Sequence, residues 1–197
     1  MRYRTIVADP PWRYDDGWPV NRGANAGTRT GLPYEAMTQE AIEALPVGDI
    51  VESDAHLLLW TTNRHVERGY AVCRAWGFRP SQLLTWCKAP VGIGPGGVFA
   101  TTSEFVVYAR RGKPEHLRRQ PSSWWHWPRG EHSAKPGAFT DMVEATFPGP
   151  YLELFARSQR LGWDTWGNEA LCHVTLDGAG RGSTPGARPG GPVGSER

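Results

Sequence analysis

Leu57, Leu58, Leu59 and Trp60 follow one another inside the run His56–Thr61. A strand alternates its side chains between two faces, so an unbroken apolar run must be covered on both. That is the position of a central strand in a sheet flanked by helices. Tyr3–Ala8, Ser81–Cys87, Phe105–Arg110, Tyr151–Ala156 and Trp163–Asn168 read as further strands. Between them lie helix signals. Thr38 can cap a helix of about two turns through Ile42 and Leu45. Asn63 can cap a second through Val66, Tyr70, Cys73 and Trp76, ended by Gly77, and Pro136 fits the first turn of a third through Phe139 and Val143. Alternating strands and helices predict an α/β fold with a mostly parallel central sheet and helices on both faces.

A chain of 197 residues suits one core, so residues 1–176 are expected to form a single domain. Residues 177–197 are rich in Gly and Pro and offer little to bury, which predicts a disordered tail. The three cysteines are far apart and form no C-x-x-C pair, which excludes a disulfide framework and a cysteine zinc site and points to a reducing, cytoplasmic setting. No run is long enough to span a membrane, and no secretory leader pattern opens the chain. The net charge is only +2, yet seven basic residues between Arg110 and Lys135 face just Glu115 and Glu131. The positive charge is local.

Asp9-Pro10-Pro11-Trp12 follows the first strand directly. Ligands of parallel α/β sheets bind at the C-terminal ends of the strands, so the motif stands where a site belongs. Two prolines lock their own φ angles and carry no N–H, which leaves the carbonyls of Asp9 and Pro10 as outward acceptors beside a carboxylate and an indole. The exocyclic amine of adenine is a poor nucleophile because its lone pair is delocalised into the ring. A carboxylate and a carbonyl that each accept from that amine draw it toward tetrahedral geometry and stabilise the positive charge that grows during attack on a methyl sulfonium. The same four residues also suit an ordinary strand-ending turn.

Six further segments favour the catalytic alternative. Leu32–Met37, Leu59–Thr61, Trp76–Phe78, His132–Pro136, Glu153–Arg157 and Trp166–Glu169 follow the motif in order. Together the seven blocks resemble the MT-A family of adenine-N6 methyltransferases, which takes in the catalytic subunit of the mRNA N6-adenosine methyltransferase and compact bacterial and phage DNA relatives. The resemblance covers about residues 3 to 170. It implies a permuted Rossmann-like fold that uses S-adenosylmethionine and no metal. Asp9, Pro10, Pro11 and Trp12 would be catalytic. Asp9, Ser133, Lys135, Phe155, Arg157, Asn168 and Glu169 would hold the cofactor, with Lys135 on the methionine carboxylate. Trp12 and Tyr34 would line the base. Gln159, Arg160 and Glu169 depart from the mRNA enzyme, which has His, Asn and Gln there.

The basic stretch also carries Trp124, Trp125 and Trp127, the mixture that tracks phosphates while stacking unpaired bases. Arg118, Arg119, Trp124 and Trp125 are therefore expected to contact substrate, although aromatics packed onto the domain under a solvated loop would read the same. The expected activity is methylation of the adenine N6 amine in nucleic acid, DNA before RNA. The alternatives are an RNA adenosine methyltransferase, a non-catalytic nucleic-acid-binding subunit, or methyl transfer to a small molecule or protein amine.

Overall fold

The computed structural model describes residues 1–13, 36–88, 98–128, 135–167 and 170–176. In chain order their elements are β1 (Tyr3–Ala8), α1 (Gln39–Glu43), β2 (Val51–Thr61), α2 (Val66–Ala75), β3 (Arg79–Cys87), β4 (Ser103–Arg111), β5 (Trp124–His126), α3 (Gly137–Thr146), β6 (Tyr151–Leu154) and β7 (Trp163–Trp166). The strands form one sheet in the order β5-β3-β4-β2-β1-β6-β7. All point the same way except β4, which runs antiparallel to β2 and β3. The fold is α/β and Rossmann-like. β3 and β4 follow one another in the chain and lie side by side in the sheet as an antiparallel pair.

Alternation along the central strands divides the core. Ile6, Leu57, Leu59, Val107 and Leu152 face one side, where Ile42 of α1 and Val72, Cys73 and Trp76 at α2 cover them. Val7, Leu58, Trp60 and Val106 face the other, under Phe139 and Val143 of α3 and the adjoining Phe147. The apolar run in β2 is thus buried on both faces, and the helices lie on both sides as its composition requires. No described helix is long and apolar enough to cross a membrane.

Local signals set most helix ends. Thr38 caps α1 by accepting from the Ala41 N–H at 3.2 Å, although α1 is only five residues long. Gly77, at φ +83°, ends α2 with two bonds, its own N–H to Arg74 and that of Phe78 to Cys73. A left-handed residue is needed there, and glycine adopts it without a Cβ clash. Asn63 does not cap α2. It opens a 3-10 turn, Asn63–His65, that feeds the helix. β6 stops at Leu154 because Phe155 turns to φ +63°, and β7 ends at Trp166. β5 has no sequence signature, since three residues paired along one edge are too short to show a period. The tail at 177–197 and the glycines at 92–97 lie outside the described residues.

One buried polar residue ties sheet and loop together. His56 is 1% exposed, with Nε2 at 2.9 Å from the Glu115 carbonyl and Nδ1 at 3.0 Å from the Tyr108 hydroxyl. A carbonyl only accepts, so Nε2 carries the proton and Tyr108 donates to Nδ1. Burial holds the imidazole below its ordinary pKa of 6.5, and the charges of His116, Arg110 and Arg4 act the same way against the Glu115 hydrogen bond. The unfolded chain therefore takes up a proton first as pH falls. The stability contributed by neutral His56 is complete above about 6.5 and is lost as pH falls through the lowered folded value. His56→Gln, which can still donate to Glu115, is expected to flatten the fall in denaturation midpoint between pH 7.5 and 5.5; parallel slopes would exclude this role.

Candidate active site

Asp9 leaves the end of β1, between β2 and β6. From β1 the chain next enters β2 on one side, while β6 leads to β7 on the other. Neighbouring strands whose onward connections diverge open a crevice, and Asp9 stands at its mouth. Backbone bonds fix the motif: the Trp12 N–H donates to the Pro10 carbonyl at 2.8 Å and the Met37 N–H to the Pro11 carbonyl at 2.9 Å. Pro10 is buried, and one lone pair of its carbonyl is already used. The Trp12 indole turns inward at 5% exposure. It stacks on His65 at 5.5 Å and donates to the Trp60 carbonyl at 3.2 Å. Expected beside the base, Trp12 here presents no open ring face and braces the turn from beneath.

Four elements bring charged groups to this crevice. Lys135, just before α3, places Nζ 2.8 Å from Asp9 Oδ2 and 3.4 Å from Glu104 Oε2 on β4. Lys88, just past β3, bonds the other oxygen of Glu104. Arg157 Nη2 lies 3.9 Å from Asp9 Oδ2. The result is an alternating chain, Asp9, Lys135, Glu104, Lys88. Its cations also lie on aromatic faces, Lys135 at 5.1 Å from the Trp60 ring and Lys88 at 4.5 Å from that of Trp86.

Burial alone would push the Lys135 ammonium down, but Asp9 and Glu104 outweigh it and hold it above its ordinary value. Burial would likewise raise Glu104, yet Lys135 and Lys88 keep its carboxyl below the usual range. Glu153, with too little cationic help, is pushed up by burial and then by the charge of Asp9, against Arg160. Glu104 and Lys88 were missed from the sequence. They sit near the paired ends of antiparallel neighbours, and nothing in their spacing announces that pairing.

A second feature lies at the ends of β6 and β7. The Ala156 N–H donates to the Trp166 carbonyl at 3.1 Å, and Phe155 sets its ring edge-on to Trp166 at 5.4 Å. Gly167 passes so close that a Cβ there would collide with the Ala156 carbonyl oxygen and lie 2.6 Å from its nitrogen. Backbone cannot swing aside as a side chain does. Gly167→Ala is therefore expected to cost about 1–3 kcal/mol or more and to lower the melting temperature; an unchanged melt would show that the two strand ends are free to part. Arg160 is turned away from the crevice, onto Glu144 at 2.7 and 2.9 Å and Asp141 at 2.6 Å. Trp163 donates to the same Glu144 at 2.7 Å, so the β6–β7 loop is pinned to α3.

Residues 3–169 match the family model described as MT-A70. The chain belongs to this family. It is 29% identical over 183 residues to the type II methyltransferase M.MunI of Mycoplasma sp, covering 85% of this chain and 78% of that protein. It is also 29% identical over 190 residues to the N6-methyladenosine RNA methyltransferase MTA1 of Cryphonectria parasitica, covering 84% and 51%. Against the human N(6)-adenosine-methyltransferase catalytic subunit METTL3 the identity is 23% over 186 residues, covering 85% and 28%. The chain thus spans most of M.MunI but only about half, or less, of the other two.

For this MT-A70 protein the structure gathers Asp9, Pro10, Pro11, Lys135, Phe155 and Arg157 around the ends of β1 and β6. Tyr34, Ser133, Asn168 and Glu169 lie outside the described residues. The basic and aromatic stretch is divided. Trp124–His126 pair with Thr85–Cys87 and run toward the Asp9 end, with Trp124 59% exposed and Trp125 stacked on Trp127 at 5.2 Å. Arg118 and Arg119 are held at the opposite end. The Leu117 and Arg118 N–H groups both meet the carbonyl of Thr146, the last residue of α3, while Lys135 precedes its first. A ten-residue helix separates the two by about 15 Å. A shallow cleft lined by Tyr70, Arg74, Phe78 and Arg79 also opens at that far end, away from the charged chain.

Proposed function

We propose that this MT-A70 protein methylates the N6 amine of adenine in nucleic acid, DNA before RNA, with S-adenosylmethionine as donor. The observation that carries the proposal is the Asp9–Lys135 ion pair at the mouth of the crevice. An amino acid brings a carboxylate and an ammonium side by side, and the pair offers the complement of both. Lys135 would take the methionine carboxylate and Asp9 would meet the ammonium end. By the family resemblance Ser133 would stand with Lys135 at the methionine carboxylate, Phe155 and Arg157 would border the ribose, and Asn168 and Glu169 would meet the nucleoside end. When bound, S-adenosylmethionine supplies an electrophilic methyl group on a positively charged sulfur.

The protein's part is to make the amine a nucleophile. With Lys135 engaged elsewhere, Asp9 is free to accept one amine N–H, and the unused lone pair on the Pro10 carbonyl accepts the other. Those bonds localise the nitrogen lone pair and favour the charge that develops as the N–C bond forms and the C–S electron pair stays with sulfur. Asp9 is partly exposed and can pass the released proton to water. Trp12 keeps the turn from shifting, and Tyr34, Trp124 and Trp125 would meet the base and its neighbours. Positioning of this kind can contribute up to roughly 7–11 kcal/mol.

DNA is placed before RNA because the chain spans most of a type II methyltransferase but only part of the RNA adenosine methyltransferases it matches. Incubation with methyl-labelled S-adenosylmethionine and matched single- and double-stranded DNA and RNA tests both parts. Label in N6-methyladenine from DNA is expected. Label from RNA alone would reverse the polymer, and no label on any adenine would overturn the activity.

A further inference from the structure

The end of the sheet opposite Asp9 carries a cluster of arginines that the methyl-transfer site does not use. In the ladder from β3 through β4 to β2, Arg79 pairs with Arg110 and Arg110 with His56, so all three share one face. Arg4 on β1 and His116 on the loop after β4 stand close enough, with Arg110, for their charges to oppose protonation of His56. Arg118 and Arg119 are exposed on the same loop where it meets the end of α3. The row from β3 to β1 crosses three strand spacings, about 14 Å.

None of these five arginines pairs with an acidic side chain among the described residues. Asp54, on β2 beside the end of β4, is engaged by the Lys113 backbone N–H at 2.6 Å. Arg110 has a buried Nε without an acceptor. Like charges directly opposite in an antiparallel pair repel, so Arg79 and Arg110 cost stability until an anion sits between them. An extended row of unpaired guanidinium groups is matched by an extended row of phosphates.

We propose that Arg4, Arg79, Arg110, Arg118 and Arg119 form a phosphate-backbone site that holds the flank of the nucleic acid whose target adenine enters the crevice at the other end of the domain. This rests on the proposed function. It adds a demand on substrate length, since a strand held at both ends must continue about 15 Å beyond the target, or some five base pairs at about 3.4 Å each.

The test compares the full chain with an Arg79→Gln, Arg118→Gln, Arg119→Gln variant, binding labelled 30-base-pair DNA across a salt series. Thermal melting and S-adenosylmethionine affinity report on the fold. Losing three phosphate contacts should make the slope of log K against log salt shallower by about 2.7. Between 50 and 200 mM salt the original chain should then lose about 40-fold more affinity than the variant. Duplexes that end within about three base pairs of the adenine should bind both proteins alike. Equal slopes on the long duplex overturn the inference while leaving the methyltransferase reading intact. Failure of the original chain to methylate or bind any nucleic acid overturns both.

Discussion

Asp9→Asn is expected to lower turnover by about 100-fold or more, a loss on the scale of one preorganised electrostatic group, and to weaken S-adenosylmethionine binding by a smaller factor, since the amide oxygen still accepts and Lys135 still meets the carboxylate. The substitution preserves shape and leaves one oxygen to accept from Lys135. What it removes is the negative charge that would face the amine, and it puts an N–H donor where the proposed reaction needs an acceptor. Lys135 keeps Glu104 as a second partner at 3.4 Å, so its ammonium is not set adrift. Single-turnover methyl transfer, measured beside calorimetric cofactor binding, separates the two effects. Near-normal turnover would show that the carboxylate is not the main acceptor.

Lys135→Met should act on the other quantity. Lys135 is the cation shared by Asp9 and Glu104, and its removal leaves Glu104 to Lys88 and Asp9 to Arg157 at 3.9 Å. Truncating one partner of a buried, hydrogen-bonded charge pair costs about 2–5 kcal/mol in binding, so cofactor affinity should fall by about 100-fold. Stability should change with pH as well. In the intact protein Glu104 sits below its ordinary pKa, so its ionised form contributes stability that is present above the unfolded value of about 4.5 and lost as pH falls through the folded one. Without Lys135 that contribution shrinks, and the variant should gain less stability than the original between pH 3.5 and 6. Lys135→Arg keeps the charge and should recover part of both. Unchanged cofactor affinity in Lys135→Met would remove this lysine from the site.

The Asp9–Trp12 turn was legible because its signal is covalent and local. Two prolines stop a strand wherever they occur, so Asp9 had to leave the sheet at the end of β1. The same holds for Thr38 and Gly77, whose effects reach only a few residues. Lys135 was legible through its family block, not through any local rule. Its partners were not, because Glu104 and Lys88 join it only through the pairing of β3 with β4 and the placement of α3. Arg118 shows where nearness in the chain misleads about nearness in space. Chain proximity grouped it with Trp124 and Trp125, yet six residues are enough for the loop to run from the end of α3 to the edge of the sheet.

From its residues alone this chain was committed to an α/β sheet covered on both faces, to a proline-locked acceptor turn after its first strand, and to the MT-A blocks that surround it. Those follow from backbone chemistry and apolar pattern, which act over a few positions. Tertiary structure decided the rest: the Asp9–Lys135–Glu104–Lys88 chain, the inward turn of Trp12, the close pass at Gly167 and the separation of the arginines from the Asp9 end. Each depends on residues distant in the chain meeting across strands about 5 Å apart, and no local pattern specifies which strand lies beside which.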